Sequence, residues 1–198
     1  MTTGLSTTIR RAARIVTTPG PEHSLFGDAP PAGQQKTKRT IFYSLAVRMA
    51  VIDFLLSLPL ILALAPADDV DSANFTPAGI ARLVFNAIIA APLMETSLFH
   101  FAYKAIFSLL RNRTERTKLF SYIAFSDVIF FILHLPKKTD GIFIHHSVVS
   151  ALVIGTVSGS IFCLTYARSA HTDRVRPYLT TSLCHALYNG LMMAVMFL

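Results

Sequence analysis

The sequence contains no tryptophan, only two cysteines and few charged residues, since Asp, Glu, Lys and Arg make up 15% of its 198 residues. Cys163 and Cys184 both lie inside apolar stretches, so we expect reduced, packed thiols and no disulfide framework. The first 40 residues hold no apolar run, so no cleavable secretory signal is expected. A mean hydropathy of +0.52 is too high for an ordinary soluble domain of this size.

Five long apolar stretches predict helices that cross a membrane. A helix needs about 20 apolar residues to cross the hydrocarbon core, and most of the stretches reach that length. They comprise residues 41–65, 78–110, 119–135, 142–167 and 177–198. We therefore predict an all-α fold, a polytopic transmembrane bundle of about five membrane-spanning helices. We expect residues 1–40 to form a basic, flexible tail and residues 41–198 to form one transmembrane domain, with its motif-bearing core in residues 82–198.

The net charge of +7 is carried by residues outside the apolar stretches, in the N-terminal region and in the connections. That distribution is typical of topology signals and headgroup contacts, so we expect the lipid bilayer and not nucleic acid as a partner. Lys and Arg are concentrated in the N-terminal region and in residues 111–118 and 168–176, whereas residues 67–71 are acidic. Positive residues stay on the cytoplasmic side, so we expect the N-terminus inside and the C-terminus outside, although Lys137 and Lys138 oppose this orientation mildly.

Four polar residues inside the apolar stretches need one shared explanation: Glu95, His134, His185 and Asn189. Such residues are costly in a membrane, and they usually face a protein interior or a water-filled cavity. At 1.5 Å per residue, Glu95 and His134 each lie roughly 22 Å from the basic end of their helix, and His185 and Asn189 lie roughly 12 and 18 Å in. The four residues therefore share a broad depth band, and His185 and Asn189 project from one helical face.

This set of side chains is suited to amide hydrolysis. A carboxylate and an imidazole that converge on a water molecule can deprotonate it, and a second His with an Asn can donate hydrogen bonds to the oxyanion. Glu and His are also normal zinc ligands, so a divalent metal held by Glu95, His134 and His185 remains open as a cofactor. The His-Glu-x-x-His signature of many zinc proteases is absent.

The same residues also have purely structural interpretations. A single His on an apolar helix is more often a hydrogen-bonded packing residue than a catalyst, and an Asn there often bonds a neighbouring helix. We expect Arg48 and Asp53 in the first stretch to pair or to reach the membrane surface. Pro92 is expected to kink or break the second helix, which leaves backbone groups to be satisfied by neighbouring helices.

At these residues the sequence resembles the CPBP family of intramembrane endopeptidases, which includes the eukaryotic CAAX prenyl proteases and bacterial proteins linked to bacteriocin processing and self-immunity. That family's pattern is Glu-Glu-x-x-x-Arg, then Phe-x-x-x-His, then His-x-x-x-Asn, each on its own transmembrane helix. The corresponding patterns here begin at Glu95, Phe130 and His185. The resemblance implies that Glu95 and His134 activate water and that His185 and Asn189 bind the oxyanion.

The first of these patterns is only partly kept, because the second glutamate is Thr96 and the arginine is His100. These two residues are four apart, and we expect them to hydrogen-bond to each other in place of the usual pair. The resemblance implies an endopeptidase of a bacterial cell membrane that acts on a peptide or membrane-protein substrate. Two other classes remain open. One is a catalytically silent protein that binds a partner, such as a self-immunity factor or an assembly subunit, and the other is a proton- or metal-handling transporter.

Overall fold

Five helices and one short strand pair make up the described part of the chain. The computed structural model describes residues 39–64, 69–70, 76–136, 144–145 and 147–196. The helices are α1 (Tyr43–Leu64), α2 (Pro77–Leu109), α3 (Glu115–His134), α4 (Val148–Ala170) and α5 (Pro177–Met196). The strands are β1 (Asp69–Val70) and β2 (Ile144–His145). The prediction of an all-α bundle is confirmed, whereas the predicted tail lies outside the described residues except for Arg39 and Thr40.

Four of the helices, α1 to α4, are long and apolar enough to cross a membrane. Many of their large apolar side chains face outward, as do Leu62 at 72%, Met94 at 74% and Phe120 at 73% exposure. Such a surface is stable against lipid and unstable against water, so the chain is an integral membrane protein. The helix α5 is not among the four because it carries several polar residues, and it packs against α1, α2 and α4.

Two short backbone pairings show which helix ends lie together. Thr40 pairs in parallel with Val175, and the Phe42 N–H donates to Thr180 Oγ1 at 3.1 Å. These contacts place the starts of α1 and α5 at the same end of the bundle. The antiparallel pair of β1 and β2 joins the connection after α1 to the connection after α3. Successive helices therefore run in alternating directions, as the sequence predicts.

The helix α3 begins four residues before the apolar stretch that predicts it. Thr114 caps the helix, because its Oγ1 accepts from the Thr117 N–H at 3.2 Å. Lys118 is buried at 6% exposure, and its Nζ pairs with Glu115 at 2.7 Å. The Glu115 carboxylate neutralises the buried Lys118 ammonium group, since a buried charge needs a partner. The charged first turn can therefore pack at the edge of the bundle.

Two glycines on α4 allow α3 to approach closely. A Cβ atom at Gly155 would lie 2.6 Å from the Phe131 Cα, and one at Gly159 would lie 2.7 Å from Asp127 Oδ1. Small residues four apart commonly form such crossings between membrane helices. The close crossing brings the Phe130 side chain of α3 into the core beside α4 and α5.

Candidate active site

The helix α2 changes its winding just before Pro92. Residues Asn86–Ala90 form a π-helical turn, in which the Ala91 N–H donates to the carbonyl five residues back. Pro92 has no N–H, so neither residue donates to the Ala87 carbonyl. The Asn189 side chain of α5 takes that place, because its Nδ2 donates to the Ala87 carbonyl oxygen at 2.7 Å. The break predicted at Pro92 is therefore a widened turn that Asn189 closes.

One turn after Pro92, Glu95 faces His185 of α5. Glu95 Oε2 lies 3.6 Å from His185 Nε2, and the two side chains are 21% and 4% exposed. This distance is longer than a direct hydrogen bond. In the described part of the chain, Glu95 Oε2 and His185 Nδ1 are buried atoms without a hydrogen-bond partner. Unpartnered buried polar atoms are rare in native proteins and require a specific explanation, of which catalysis is one.

His134 borders this pair at the end of α3. Its Nδ1 lies 2.8 Å from the Phe130 carbonyl oxygen. A carbonyl only accepts, so Nδ1 donates, and in the neutral ring Nε2 is then the acceptor. The Phe130 ring lies 4.4 Å from the His134 ring and 6.1 Å from the His185 ring, measured between centroids. The Phe130 ring therefore lies beside both imidazoles, so the second and third sequence patterns adjoin each other.

Three fully buried phenylalanines, Phe99, Phe130 and Phe162, enclose the site. The Phe162 ring stacks on the His185 ring with centroids 4.3 Å apart and planes at 25°. Phe99 lies 5.3 Å from Phe130 and 6.0 Å from Phe162, again between ring centroids. Stacking fixes the plane of the His185 ring, and the apolar enclosure strengthens electrostatic interactions inside it. Sequence reasoning missed Phe99 and Phe162, although Phe99 follows Glu95 by one helical turn.

The expected hydrogen bond between Thr96 and His100 is wrong. Thr96 is fully buried, and its Oγ1 has no hydrogen-bond partner among the described residues. The His100 Nδ1 instead hydrogen-bonds to the Tyr166 hydroxyl of α4, and their rings lie 5.7 Å apart. The hydrogen-bond partner of His100 therefore comes from the neighbouring helix α4, and not from Thr96 on α2. The second glutamate and the arginine of the family pattern have no equivalent here.

Arg48 and Asp53, which were expected to pair or to reach the membrane surface, lie in different surroundings. Arg48 is exposed and Asp53 is buried. Asp53 Oδ1 accepts a hydrogen bond from Ser158 Oγ at 2.8 Å. A second acid on α3, Asp127, accepts from Ser160 Oγ at 2.6 Å. Both acids thus bind hydroxyl groups of α4, which the sequence of α1 and α3 alone did not indicate.

The described residues do not provide a group of donors for the predicted metal site. Among the described residues, no three His, Cys, Asp or Glu side chains are grouped so that they could hold a metal ion. A zinc site needs at least three protein ligands around one point. Glu95, His134 and His185 are therefore not arranged as a three-ligand site.

The structure brings three of the four sequence-predicted residues to one place and gives the fourth a different partner. Glu95 and His185 face each other and His134 borders them, whereas the Asn189 amide binds the backbone of α2. Comparison of the chain with protein-family models, with curated proteins and with solved structures finds no match. The family resemblance therefore rests on the three sequence patterns, and the function has to be argued from the geometry of the site.

Proposed function

We propose that the protein is an intramembrane endopeptidase that hydrolyses a peptide bond of a membrane-associated protein or peptide. The observation that carries the proposal is the buried pair of Glu95 and His185, whose facing atoms are 3.6 Å apart. A carboxylate and an imidazole at this separation in an apolar enclosure can both contact one water molecule or one substrate oxygen. Catalytic contacts are often long in the absence of substrate and shorten in the reacting complex.

In the proposed reaction Glu95 is the general base and His134 is a second acceptor that orients the water. Glu95 takes a proton from the water as the water oxygen bonds to the carbonyl carbon of the scissile peptide bond. His185 donates a hydrogen bond to the oxyanion that forms. Glu95 then gives the proton to the amide nitrogen as the carbon–nitrogen bond breaks. One water is consumed, and one carboxyl and one amino terminus are produced.

Asn189 has a positioning role in this proposal. Its Nδ2 is engaged by the Ala87 carbonyl at 2.7 Å, which fixes α5 against the widened turn of α2. Glu95 lies two turns after Ala87 on α2, and His185 lies one turn before Asn189 on α5. The hydrogen bond between Asn189 and Ala87 therefore holds in register the two helices whose side chains form the catalytic pair.

A catalytically silent, partner-binding protein is the second candidate. One observation favours it: the family's oxyanion asparagine is occupied by the backbone of α2, and Thr96 and His100 replace two residues of the family's first pattern. Under this alternative the Glu95–His185 pair is an inherited feature of the fold. Substitutions in the pair would then leave the cellular phenotype intact, whereas substitutions on a partner-facing surface would abolish it.

We further propose that the N-terminus faces the cytoplasm of a bacterial cell. This proposal depends on the Lys and Arg distribution and on the family resemblance. The alternating helix directions require that the connections after α1 and after α2 lie on opposite sides of the membrane. Reporter fusions at Ala67 and at Thr114 should therefore give opposite signals, with Thr114 on the cytoplasmic side. Equal signals from both positions would contradict the topology.

The hydrolase proposal is tested by comparing new protein termini in membranes. Cells that lack the chain are supplied with the wild type, with Glu95→Gln or with the control Asp173→Asn, and terminal peptides of membrane proteins are quantified by mass spectrometry. Asp173 is an exposed residue of the connection before α5, so the control also changes a carboxylate to an amide but does so outside the site. We expect specific termini with the wild type and the control and their loss with Glu95→Gln. Identical termini in all three membranes would overturn the proposal.

A further inference from the structure

A second polar group lies in the middle of the bundle. Asp53 is near the midpoint of α1, which spans Tyr43–Leu64, and its side chain is fully buried. Ser158, the last residue of a π-helical turn in α4, donates from Oγ to Asp53 Oδ1 at 2.8 Å. The other carboxylate oxygen, Oδ2, is buried and has no hydrogen-bond partner within the described residues.

Two further hydroxyl groups extend this cluster. Ser57 lies one turn after Asp53 on α1, and its Oγ donates to the Tyr188 hydroxyl of α5 at 3.1 Å. Asp53 and Ser57 project from one face of α1, and their hydroxyl partners come from α4 and α5, which pack on α1 and on each other. The four side chains therefore bring a carboxylate and three hydroxyl groups into the interior of the bundle.

This cluster is separate from the Glu95–His185 pair. The Phe162 ring lies between them, since it stacks on His185 at 4.3 Å and meets the Tyr188 ring at 6.0 Å between centroids. The proposed hydrolysis uses no atom of the cluster. Any role of the cluster therefore depends on its own carboxylate and hydroxyl groups.

No basic side chain neutralises Asp53 in the part of the chain that the structure describes. The contacts between acidic and basic side chains found there join Lys118 to Glu115 and His185 to Glu95, and Arg48 on the same helix is exposed. A carboxylate in an apolar interior requires a counter-charge, a metal ion or a proton.

We propose that Asp53, Ser57, Ser158 and Tyr188 form a binding site for a monovalent cation of the sodium type. Hard cations prefer carboxylate and other oxygen ligands, and each hydroxyl keeps lone pairs after it has donated its hydrogen. One carboxylate balances one positive charge. A divalent cation would leave a net charge in the apolar interior, so the charge of the site selects a monovalent one.

The backbone next to the cluster is consistent with this site. Ser158 ends the widened turn Ile154–Ser158, and π-helical turns inside helices are frequent at functional positions. In membrane transporters, irregular helical segments at mid-membrane depth supply oxygen ligands to sodium ions. The widened turn therefore lies at the depth of Asp53, and its last residue, Ser158, points toward the Asp53 carboxylate.

The test is the thermal unfolding of the purified full-length protein in detergent. Unfolding midpoints are measured over a series of sodium chloride concentrations and over choline chloride at the same ionic strength and pH. A cation that binds only the folded state stabilises it by mass action. We expect the wild-type midpoint to rise with sodium and not with choline. Asp53→Asn should lose this dependence, and Asp173→Asn, an exposed residue of the connection before α5, should keep it.

A second variant keeps the proposal testable if Asp53→Asn does not fold. Ser57→Ala retains the carboxylate but removes one oxygen, so the sodium concentration needed for half of the effect should rise roughly 10- to 100-fold. Equal midpoints in sodium and choline for the wild type would overturn the proposal. A midpoint that is insensitive to sodium but varies with pH only when Asp53 is present would also overturn it, and would assign a proton to the site instead.

Discussion

His185 and Asn189 lie one turn apart on the same face of α5 and belong to one sequence pattern, yet their side chains make different kinds of contact. The Asn189 amide makes a direct 2.7 Å hydrogen bond to a backbone carbonyl that has no main-chain donor. His185 faces a carboxylate at 3.6 Å, and its Nδ1 is buried without a partner among the described residues. The contact of Asn189 is explained by the fold alone, whereas that of His185 is not.

This difference shows how a structural residue can be told from a chemical one. A polar residue that completes the backbone of a neighbouring helix lowers the free energy of the folded state. A polar pair that is buried and incompletely bonded raises that free energy, and proteins keep such groups chiefly at functional sites. The two residues should therefore separate when activity and stability are measured in the same variants.

The largest effect is expected for His185→Gln. Glutamine retains hydrogen-bonding capacity, but it lacks the ring that stacks on Phe162 and the geometry that faces Glu95. We expect the rate of substrate cleavage to fall about 10²- to 10³-fold, the usual consequence of removing an oxyanion donor. The unfolding midpoint should stay close to that of the wild type. A matched control is His171→Gln, which changes an exposed histidine of the connection before α5 and should leave the rate unchanged.

Asn189→Ala should have the opposite profile, with stability more affected than chemistry. Its removal leaves the partly buried Ala87 carbonyl unbonded, and an unsatisfied acceptor that is shielded from water costs about 1–3 kcal/mol. Denaturant or thermal unfolding in detergent measures this loss. The cleavage rate should fall less than in His185→Gln. A rate loss equal to that of His185→Gln together with unchanged stability would show that Asn189 acts on the substrate directly.

A double-mutant cycle sharpens the interpretation of Asn189. Pro92→Ala restores an N–H to α2, so the backbone can return to a regular helix in which the Ala87 carbonyl has a main-chain donor. We expect Pro92→Ala to recover part of the stability lost in Asn189→Ala, with an interaction free energy within about 0.5–3 kcal/mol. Additive effects of the two substitutions would show that the Asn189 contact does not depend on the break at Pro92.

The smallest effect is expected for Thr96→Val. Thr96 is fully buried and its hydroxyl has no partner among the described residues, so an apolar group of the same shape should be neutral or stabilising by up to about 1 kcal/mol. Thr96→Glu, which would restore the family pattern at this position, should instead destabilise the protein because it buries a larger, charged side chain. Unfolding midpoints of the two variants check both expectations.

The helices were largely predictable from the sequence, because the membrane imposes their length and composition. The apolar stretch 41–65 corresponds to Tyr43–Leu64, and residues 78–110 correspond to Pro77–Leu109. The start of α3 was misplaced because hydropathy ignores a capped, charged first turn. A contact between helices, such as that of His100 with Tyr166, depends on how the helices rotate against one another, which spacing along a single helix does not encode.

The candidate site was less predictable from the sequence than the helices were. The depth argument placed Glu95 and His185 in one band, and the structure brings them within 3.6 Å. The role of Asn189 could not be predicted, because its hydrogen bond depends on the widened turn at Asn86–Ala90. Pro92 predicted a break in the helix but not the form of that break. The Asp53 cluster was missed because its hydroxyl partners lie on α4 and α5 and carry no recognisable pattern.

The central claim is that Glu95 activates water for attack on a peptide bond, and isotope incorporation tests it most directly. Membranes containing the wild type, Glu95→Gln or Asp173→Asn are incubated in heavy-oxygen water, and new C-terminal peptides are examined by mass spectrometry. The account predicts one heavy oxygen atom in the carboxyl group of newly formed C-termini with the wild type and with Asp173→Asn, and no such termini with Glu95→Gln at an equal protein level. Labelled termini that persist unchanged in Glu95→Gln would contradict it.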